Sequence, residues 1–366
     1  MRSGNSAEAA ALQELISRIR EMKTGPVNLM EVCGSHTMAI AKGGIRQLLP
    51  DQVRLISGPG CPVCVTPPEL IDMYLHLTED PRIVLATYGD MLKVPGSRRG
   101  DTLMRRRAEG ARVQIVYSPM DAWQLAQSHP EDQVVFLGAG FETSAPGTAA
   151  ALQAAAEAGT KNFSVLSLLK RVEPALRQLI SDPAFNIQGF LCPGHVATIL
   201  GEAGFRFLPE EYHLPGVISG FTPEDILVSV WRLLRQLSEG RACIENTYTR
   251  AVAPEGNPLA LRMMNTVLCP KDDLWRGLGA IPDSGLGIRE EYRDLDAAVR
   301  FGLRPDPSPA SDPVTALCRC GEIIKGQLSP RDCPLFGSVC TPEDPVGPCM
   351  VSGEGACAAA WKYQEL

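Results

Sequence analysis

Residues 26–36 read "PVNLMEVCGSH". The run Val27–Val32 is mostly apolar, opens after a proline and stops at Cys33-Gly-Ser-His36. Such a run reads as a short buried strand leading into a loop that carries a thiol and an imidazole. The pattern returns at residues 189–195 as "GFLCPGH", again a strand followed by Cys-x-x-His. About 25 residues after each copy comes a strand ending in Ile-Ser-Gly, "ISGPG" at 56–60 and "ISGFTPEDIL" at 218–227. Two matched pairs in the same order predict two α/β domains of related build.

Working outward from these pairs, the chain from about residue 25 to 230 alternates strand, tight loop and helix. Candidate strands are Val27–Val32, Val53–Ser57, Ile83–Thr87, Val113–Tyr117, Val134–Leu137, Val165–Leu168, Gly189–Leu191 and Val217–Ile218. Most are short, apolar and β-branched, as expected of strands buried on both faces of a parallel sheet. Helices are expected over Pro67–Leu77, Ser144–Ala158, Val172–Ile180 and Thr222–Leu237. The alternation predicts an α/β fold with two related parallel-sheet domains facing a cleft. Their expected bounds are 20–128, carrying Cys33, His36, Cys61 and Cys64, and 129–237. After residue 238 the pattern gives way to a mixed region with a proline-rich stretch, "RPDPSPASDP" at 304–313, and then a cysteine cluster. Residues 238–366, with an N-terminal helix at 7–20, are expected to form a third, mixed domain carrying a Cys-rich iron–sulfur site.

The totals narrow the function. The 366-residue chain has 35 Lys+Arg against 42 Asp+Glu, a net charge of −7, with no basic cluster suited to nucleic-acid phosphates. No apolar run is long enough to span a bilayer, and the N-terminus lacks a signal-peptide core, so a cytoplasmic location is expected. In a reducing compartment the twelve cysteines point to metal binding or redox chemistry more than to structural disulfides.

In open α/β sheets, ligands bind at the carboxyl ends of the strands, and the reactive residues collect there. Cys33 with His36, Cys61 with Cys64, and Cys192 with His195 all follow predicted strands. Thiolate and imidazole suit a soft transition metal. In "SGPGCPVCVTPPE" (57–69), Cys61 and Cys64 can form a reversible disulfide or supply two metal ligands. The "VTPP" that separates this pair from its helix departs from the thioredoxin arrangement. "FLGAGFETSAP" (136–146) has Gly138 and Gly140 but Thr143 where a dinucleotide fingerprint needs its third glycine. Glu142 and Thr143, like Asp90 and Lys93 in "TYGDMLKVPGS" (87–97), are expected to face the cleft as polar groups. No phosphate-binding loop of the G-x-x-x-x-G-K-[ST] type is present.

Six of the cysteines lie between 318 and 357, among many glycines and prolines and without histidine. An all-thiolate site fits zinc or an iron–sulfur cluster, and the wide, irregular spacing favours a [4Fe–4S] cluster. Spacing alone does not choose four ligands from six. Cys192, Cys243 and Cys269 are expected to be buried thiols. Glu354, in "SGEGAC", reads as a turn cap or as a group that positions a reactant.

"MEVCGSHTMAI", "SGPGCPVCVTP", "TYGDMLKVPGS", "GFETSAP", "GFLCPGHVATILG" and "CMVSGEGACAAAWKY" together resemble the HypD family of hydrogenase maturation factors. The resemblance runs from about residue 25 to the end of the chain. It implies two α/β domains and a third with a [4Fe–4S] cluster, whose ligands in this chain would be Cys318, Cys333, Cys340 and Cys357. Cys320 and Cys349 would be spare. It further implies a scaffold that, with the small partner HypC, binds iron and assembles the Fe(CN)2CO unit of [NiFe]-hydrogenase, cyanide arriving from HypE and the product passing to the hydrogenase large subunit. Cys33, Cys61 and Cys64 would be the essential thiols. On that basis Cys33 is expected to ligate the iron, while Cys61 and Cys64 ligate it or cycle between dithiol and disulfide. The first motif departs from the family's "CGGHTHA", since Ser35 and Met38 stand where glycine and histidine are expected. The alternatives are an iron–sulfur-dependent thiol–disulfide oxidoreductase and an interaction module with structural zinc.

Overall fold

The computed structural model describes residues 4–307 and 312–363, the side chains of residues 4–9 excepted. Part of the expected linker, 308–311, and the last residues of the expected third domain lie outside the described residues. The strands in chain order are β1 (Val27–Glu31), β2 (Val53–Ser57), β3 (Ile83–Thr87), β4 (Val113–Ile115), β5 (Gln133–Gly140), β6 (Phe163–Leu169), β7 (Gly189–Pro193), β8 (Gly216–Ser219), β9 (Ile244–Asn246), β10 (Leu268–Trp275) and β11 (Gly279–Ile288). They form a five-stranded sheet ordered β2-β1-β7-β8-β9, a four-stranded sheet ordered β4-β3-β5-β6, and the hairpin β10-β11. Both large sheets are parallel throughout, and the hairpin is antiparallel. Every residue of β3, β6 and β7 is buried, as in strands covered on both faces.

The α/β class is as expected, but the strands are shared out differently from the expected division. The two copies of the strand–Cys-x-x-His repeat do not head separate sheets. β1 and β7 are neighbours in one sheet, paired from Leu29↔Gly189 to Glu31↔Leu191. β4 and β5 fall on opposite sides of the expected boundary at 128/129, yet they flank β3 in the same sheet. The chain leaves the first sheet after β2, builds the whole second sheet, and returns to complete the first. Periodicity identifies a strand by its own burial; it carries no information about which distant strand lies alongside.

The helix Pro223–Ser238 starts with proline at its first turn and a capping box between Thr222 and Asp225. It buries Ile226, Leu227, Val230, Leu233 and Leu234 against the first sheet. The N-terminal helix, Gly4–Glu21, lays Ile19, Leu12, Leu15 and Ile16 on that same cluster. Among the described residues it therefore packs with the first sheet rather than with the C-terminal region.

The hairpin is held to the second sheet by a bridge between Lys170 and Gly285. Lys170 is wholly buried, its Nζ 2.8 Å from Asp273 Oδ2 and donating to the Leu274 carbonyl at 2.8 Å. Burial lowers its ammonium to about 8. The cysteine-rich segment consists of turns and short helices, among them Cys320–Ile324, Pro348–Val351 and Ala356–Tyr363. The last of these packs on the helix Gly34–Lys42, at the carboxyl edge of the first sheet.

Candidate functional site

From β1 the first sheet continues to β2 on one side, and from β7 to β8 and β9 on the other. The strand order reverses between β1 and β7, the place where open parallel sheets bind ligands. Cys33 stands just beyond β1, in extended backbone, at the N-terminus of the helix Gly34–Lys42. Its N–H donates to Glu31 Oε2 at 3.3 Å, and Glu31 also accepts from the Thr37 hydroxyl. Burial raises the Glu31 carboxyl to about 7. The loop after β2 is pressed against this corner. A Cβ on Gly60 would lie 2.2 Å from the Cys33 nitrogen, and the Gly34 N–H donates to the Gly60 carbonyl at 3.0 Å. Only glycine admits so close a backbone approach.

That approach places Cys61 and Cys64 beside Cys33. Cys61 caps the short helix Pro62–Val65, which contains Cys64, and its Sγ accepts from the Cys64 N–H at 3.2 Å. The two sulfurs form a disulfide, and both residues are buried. The "VTPP" insertion forms the exit of this helix, and the next helix, Pro68–His76, starts after Pro67.

Glu354 closes the corner from the C-terminal region. Its Oε1 accepts from the Ser35 hydroxyl at 2.7 Å, and a Cβ on Gly34 would fall 2.4 Å from Glu354 Cβ. Burial first, and the Glu354 charge second, push the Cys33 thiol up to about 12. Glu354 is thus more than a turn residue, and "SGEGAC" carries no sign of Ser35, its partner across the fold. Asp90, in the loop after β3 of the second sheet, is raised by desolvation and then by this same Glu354 charge. The loops of the two sheets therefore meet here, as expected for Asp90. Lys93 is exposed.

The two histidines of the repeat sit on either face of Phe221. His36 is buried and stacks at 4.7 Å, while His195 is exposed and stacks at 4.0 Å. His36 Nε2 faces the carbonyls of Gly220 at 3.0 Å and Ser219 at 3.3 Å, so it carries the proton. Its Nδ1 lone pair is buried without a hydrogen-bond partner. Burial lowers the imidazole to about 4, so His36 is neutral at physiological pH. Cys192 is a fully buried core thiol, as expected, whereas Cys243 and Cys269 are half-buried. Glu142 is buried away from the corner and caps another helix through the Val172 N–H.

All six C-terminal cysteines line one small cavity, closed by Ile323, Leu335, Phe336 and Met350. Among the described residues no three His, Cys, Asp or Glu side chains converge on a single ion; the thiols surround a space. Burial raises the Cys340 and Cys357 thiols, and Cys318 is raised first by its bond to Cys320 and then by burial. Thiols so crowded and desolvated ionise only with a cationic partner among them. Cys340 Sγ accepts from the Val346 N–H at 3.3 Å, a contact that also suits a cluster-bound thiolate. The donor set and its apolar walls fit a [4Fe–4S] group.

Cys349 connects this cavity to the corner. It lines the cysteine cavity and also a second one shared with Gly34, Cys61, Cys64 and Glu354. Its thiol is hydrogen-bonded to that of Cys320, both being free cysteines, and Cys64 Sγ lies 4.0 Å from the carbonyl of the preceding Pro348. Cys349, one of the two cysteines that the resemblance leaves spare, therefore stands between the disulfide and the cysteine-lined pocket.

A family model described as "HypD: Hydrogenase formation hypA family" matches residues 10–364. The chain is 46% identical over 341 residues to the hydrogenase expression/formation protein HupD of Azotobacter chroococcum mcd 1, covering 92% of this chain and 89% of that protein. It is 43% identical over 361 residues to the hydrogenase maturation factor HypD of Rhodobacter capsulatus, covering 98% and 94%. With HypD of Escherichia coli (strain K12) the identity is 42% over 355 residues, covering 97% and 94%.

Proposed function

The chain belongs to the HypD family of hydrogenase maturation factors, and from that premise we propose that it is a redox-active scaffold on which, with HypC, the Fe(CN)2CO unit is assembled. The observation that carries this reading is the cavity shared by Gly34, Cys61, Cys64, Cys349 and Glu354, which joins the Cys33 corner to the cysteine-lined pocket.

Iron with cyanide and carbon monoxide needs electron-rich ligands, and Cys33 supplies a thiolate next to a helix N-terminus. Because burial and Glu354 keep Cys33 protonated, iron binding releases its proton. Ser35 holds the Glu354 carboxylate beside Gly34, where it can receive that proton. His36, neutral and anchored by Nε2 to the Ser219 and Gly220 carbonyls, fixes the start of its helix against β8.

Freeing cyanide from a carrier atom X requires two electrons. With Cys61 and Cys64 as dithiol, the balance is X–CN plus two thiols giving X–H, cyanide, one proton and the Cys61–Cys64 disulfide. The X–C bond is reduced and the thiols are oxidised. The donor HypE would present the carrier at the exposed face marked by His195 and Asp90. Cys318, Cys333, Cys340 and Cys357 would hold a [4Fe–4S] cluster, which supplies storage for single electrons. Cys349 lies on the way from that pocket to the disulfide.

A general thiol–disulfide oxidoreductase presents its disulfide to protein substrates. Here Cys61 and Cys64 are 4% and 2% exposed, which favours the scaffold. Anaerobically purified protein is expected to be brown and to contain roughly four irons per chain. A colourless protein containing zinc would remove the cluster from this reading.

A further inference from the structure

The loop "GFETSAP" (140–146), which leaves β5, has no part in the chemistry above. Glu142 within it is 4% exposed. Its Oε1 accepts the Val172 N–H at 3.0 Å, so one carboxyl oxygen caps the helix Val172–Ile180. Its Oε2 is buried and has no hydrogen-bond partner. A buried polar oxygen without a partner costs stability and points to a missing one.

Glu142 lines a cavity of about 250 Å³ where the two sheet units meet the hairpin. Arg171, after β6, and Arg289, after β11, line it too. Arg171 donates to the Asp283 carbonyl at 2.7 Å through one terminal nitrogen, and Arg289 uses Nε for the Asn265 and Leu268 carbonyls. Among the described residues neither guanidinium forms an ion pair. Leu200, Met264 and Leu286 contribute apolar walls. Burial raises the Glu142 carboxyl to about 7, so at neutral pH Oε2 carries a proton in much of the population. Glu173 also lines the cavity, its carboxylate paired with Arg177, so the two guanidinium groups and the Glu142 O–H remain as donors to a ligand. The partner they fit is an oxyanion, and the apolar walls fit a short hydrocarbon body attached to it.

We propose that this cavity binds a small oxyanion-headed metabolite, its head between Arg171 and Arg289 with one oxygen accepting from Glu142, and its body against Leu200, Met264 and Leu286. The site is separate from the cysteine corner, and the proposal does not depend on the maturation chemistry. Two sources of the head group, a carboxylate and a phosphate, are distinguished by titrating the full chain calorimetrically at pH 7. The carboxylate arm uses acetate, butyrate and hexanoate; the phosphate arm uses inorganic phosphate. A carboxylate ligand gives saturable one-to-one binding that tightens about fourfold per methylene from butyrate to hexanoate. A phosphate ligand gives saturable binding of phosphate with no such series. In either case Arg171→Gln weakens binding at least tenfold, and Glu142→Gln, which keeps a donor, stays within a few-fold of wild type. Met264→Trp fills the apolar end and abolishes the gain from butyrate to hexanoate while leaving the charges in place. The proposal is overturned if neither probe saturates. It is overturned equally if binding survives both Arg171→Gln and Met264→Trp in variants whose circular dichroism matches wild type.

Discussion

Gly60 is the residue on which the site's geometry depends most. Its hydrogen faces the Cys33 backbone, and a Cβ there would sit 2.5 Å from the Cys33 Cα. Because the obstacle is backbone, Gly60→Ala is expected to destabilise the protein by about 1–3 kcal/mol, read as a lower urea midpoint. A midpoint equal to wild type would mean that the two loops are not pressed together. Glu142 gives a pH-dependent prediction at the same scale. Its carboxyl is raised from 4.5 to about 7 in the fold, so its stabilising contribution is complete below the unfolded value and lost as pH rises through 7. Between pH 6 and 8.5 this group removes about 1 kcal/mol, and Glu142→Gln should flatten the fall in urea stability by that amount. At this scale the thiols were legible, since residue type and spacing alone announce Cys33, Cys61, Cys64 and the C-terminal six. For Glu354 the sequence left a turn cap and a positioning group undivided, because Ser35, to which it bonds, lies 319 positions away. The role of Cys349 was hidden for the same reason: which cavities a thiol lines is a property of the fold.

Among the elements, the buried strands and the capped helices were readable from their own residues. β2 and β3 and the helix Val172–Ile180 have the bounds that their patterns predict, since apolar β-branched runs and an amphipathic face are local signals. The helix expected from Thr222 starts with a capping box between Thr222 and Asp225, and Thr222→Ala should cost about 1 kcal/mol in urea denaturation. An unchanged midpoint would show that the cap is dispensable. The hairpin β10-β11 was not readable. Its strands contain Pro270, Asp272, Asp273, Pro282 and Asp283, residues that ordinary strands avoid. Tertiary partners override that propensity: the buried Lys170 against Asp273, and the Ser167 hydroxyl donating to the Leu286 carbonyl, hold the hairpin to β6. The edge strand β9, only three residues long, escaped for lack of length.

For the whole molecule, the consequence of pairing β1 with β7 is that both halves of the repeat converge on one edge. His36 and His195 flank Phe221, and the C-terminal segment closes over the same edge through Glu354 and the helix Ala356–Tyr363. Had each repeat headed its own sheet, as the sequence pattern suggested, the two Cys-x-x-His loops would not share this corner. Chain order therefore gave the class of fold but not its partition, because strand adjacency is decided by contacts between distant segments. The proposed assembly requires the thiol pair and the cysteine-lined pocket to act together. Cys61→Ser keeps a side-chain acceptor for the Cys64 N–H but cannot form the disulfide. It is expected to abolish hydrogenase maturation while the brown colour remains; full maturation by this variant would exclude the disulfide from the chemistry. The most direct test of the account is infrared spectroscopy of the protein purified with HypC from cells making hydrogenase. The wild-type complex should show cyanide and carbon monoxide stretching bands, and Cys33→Ala should lose them while keeping its cluster absorption. Bands of wild-type intensity in the Cys33→Ala complex would contradict the assignment of Cys33 as the ligand on which the iron is built.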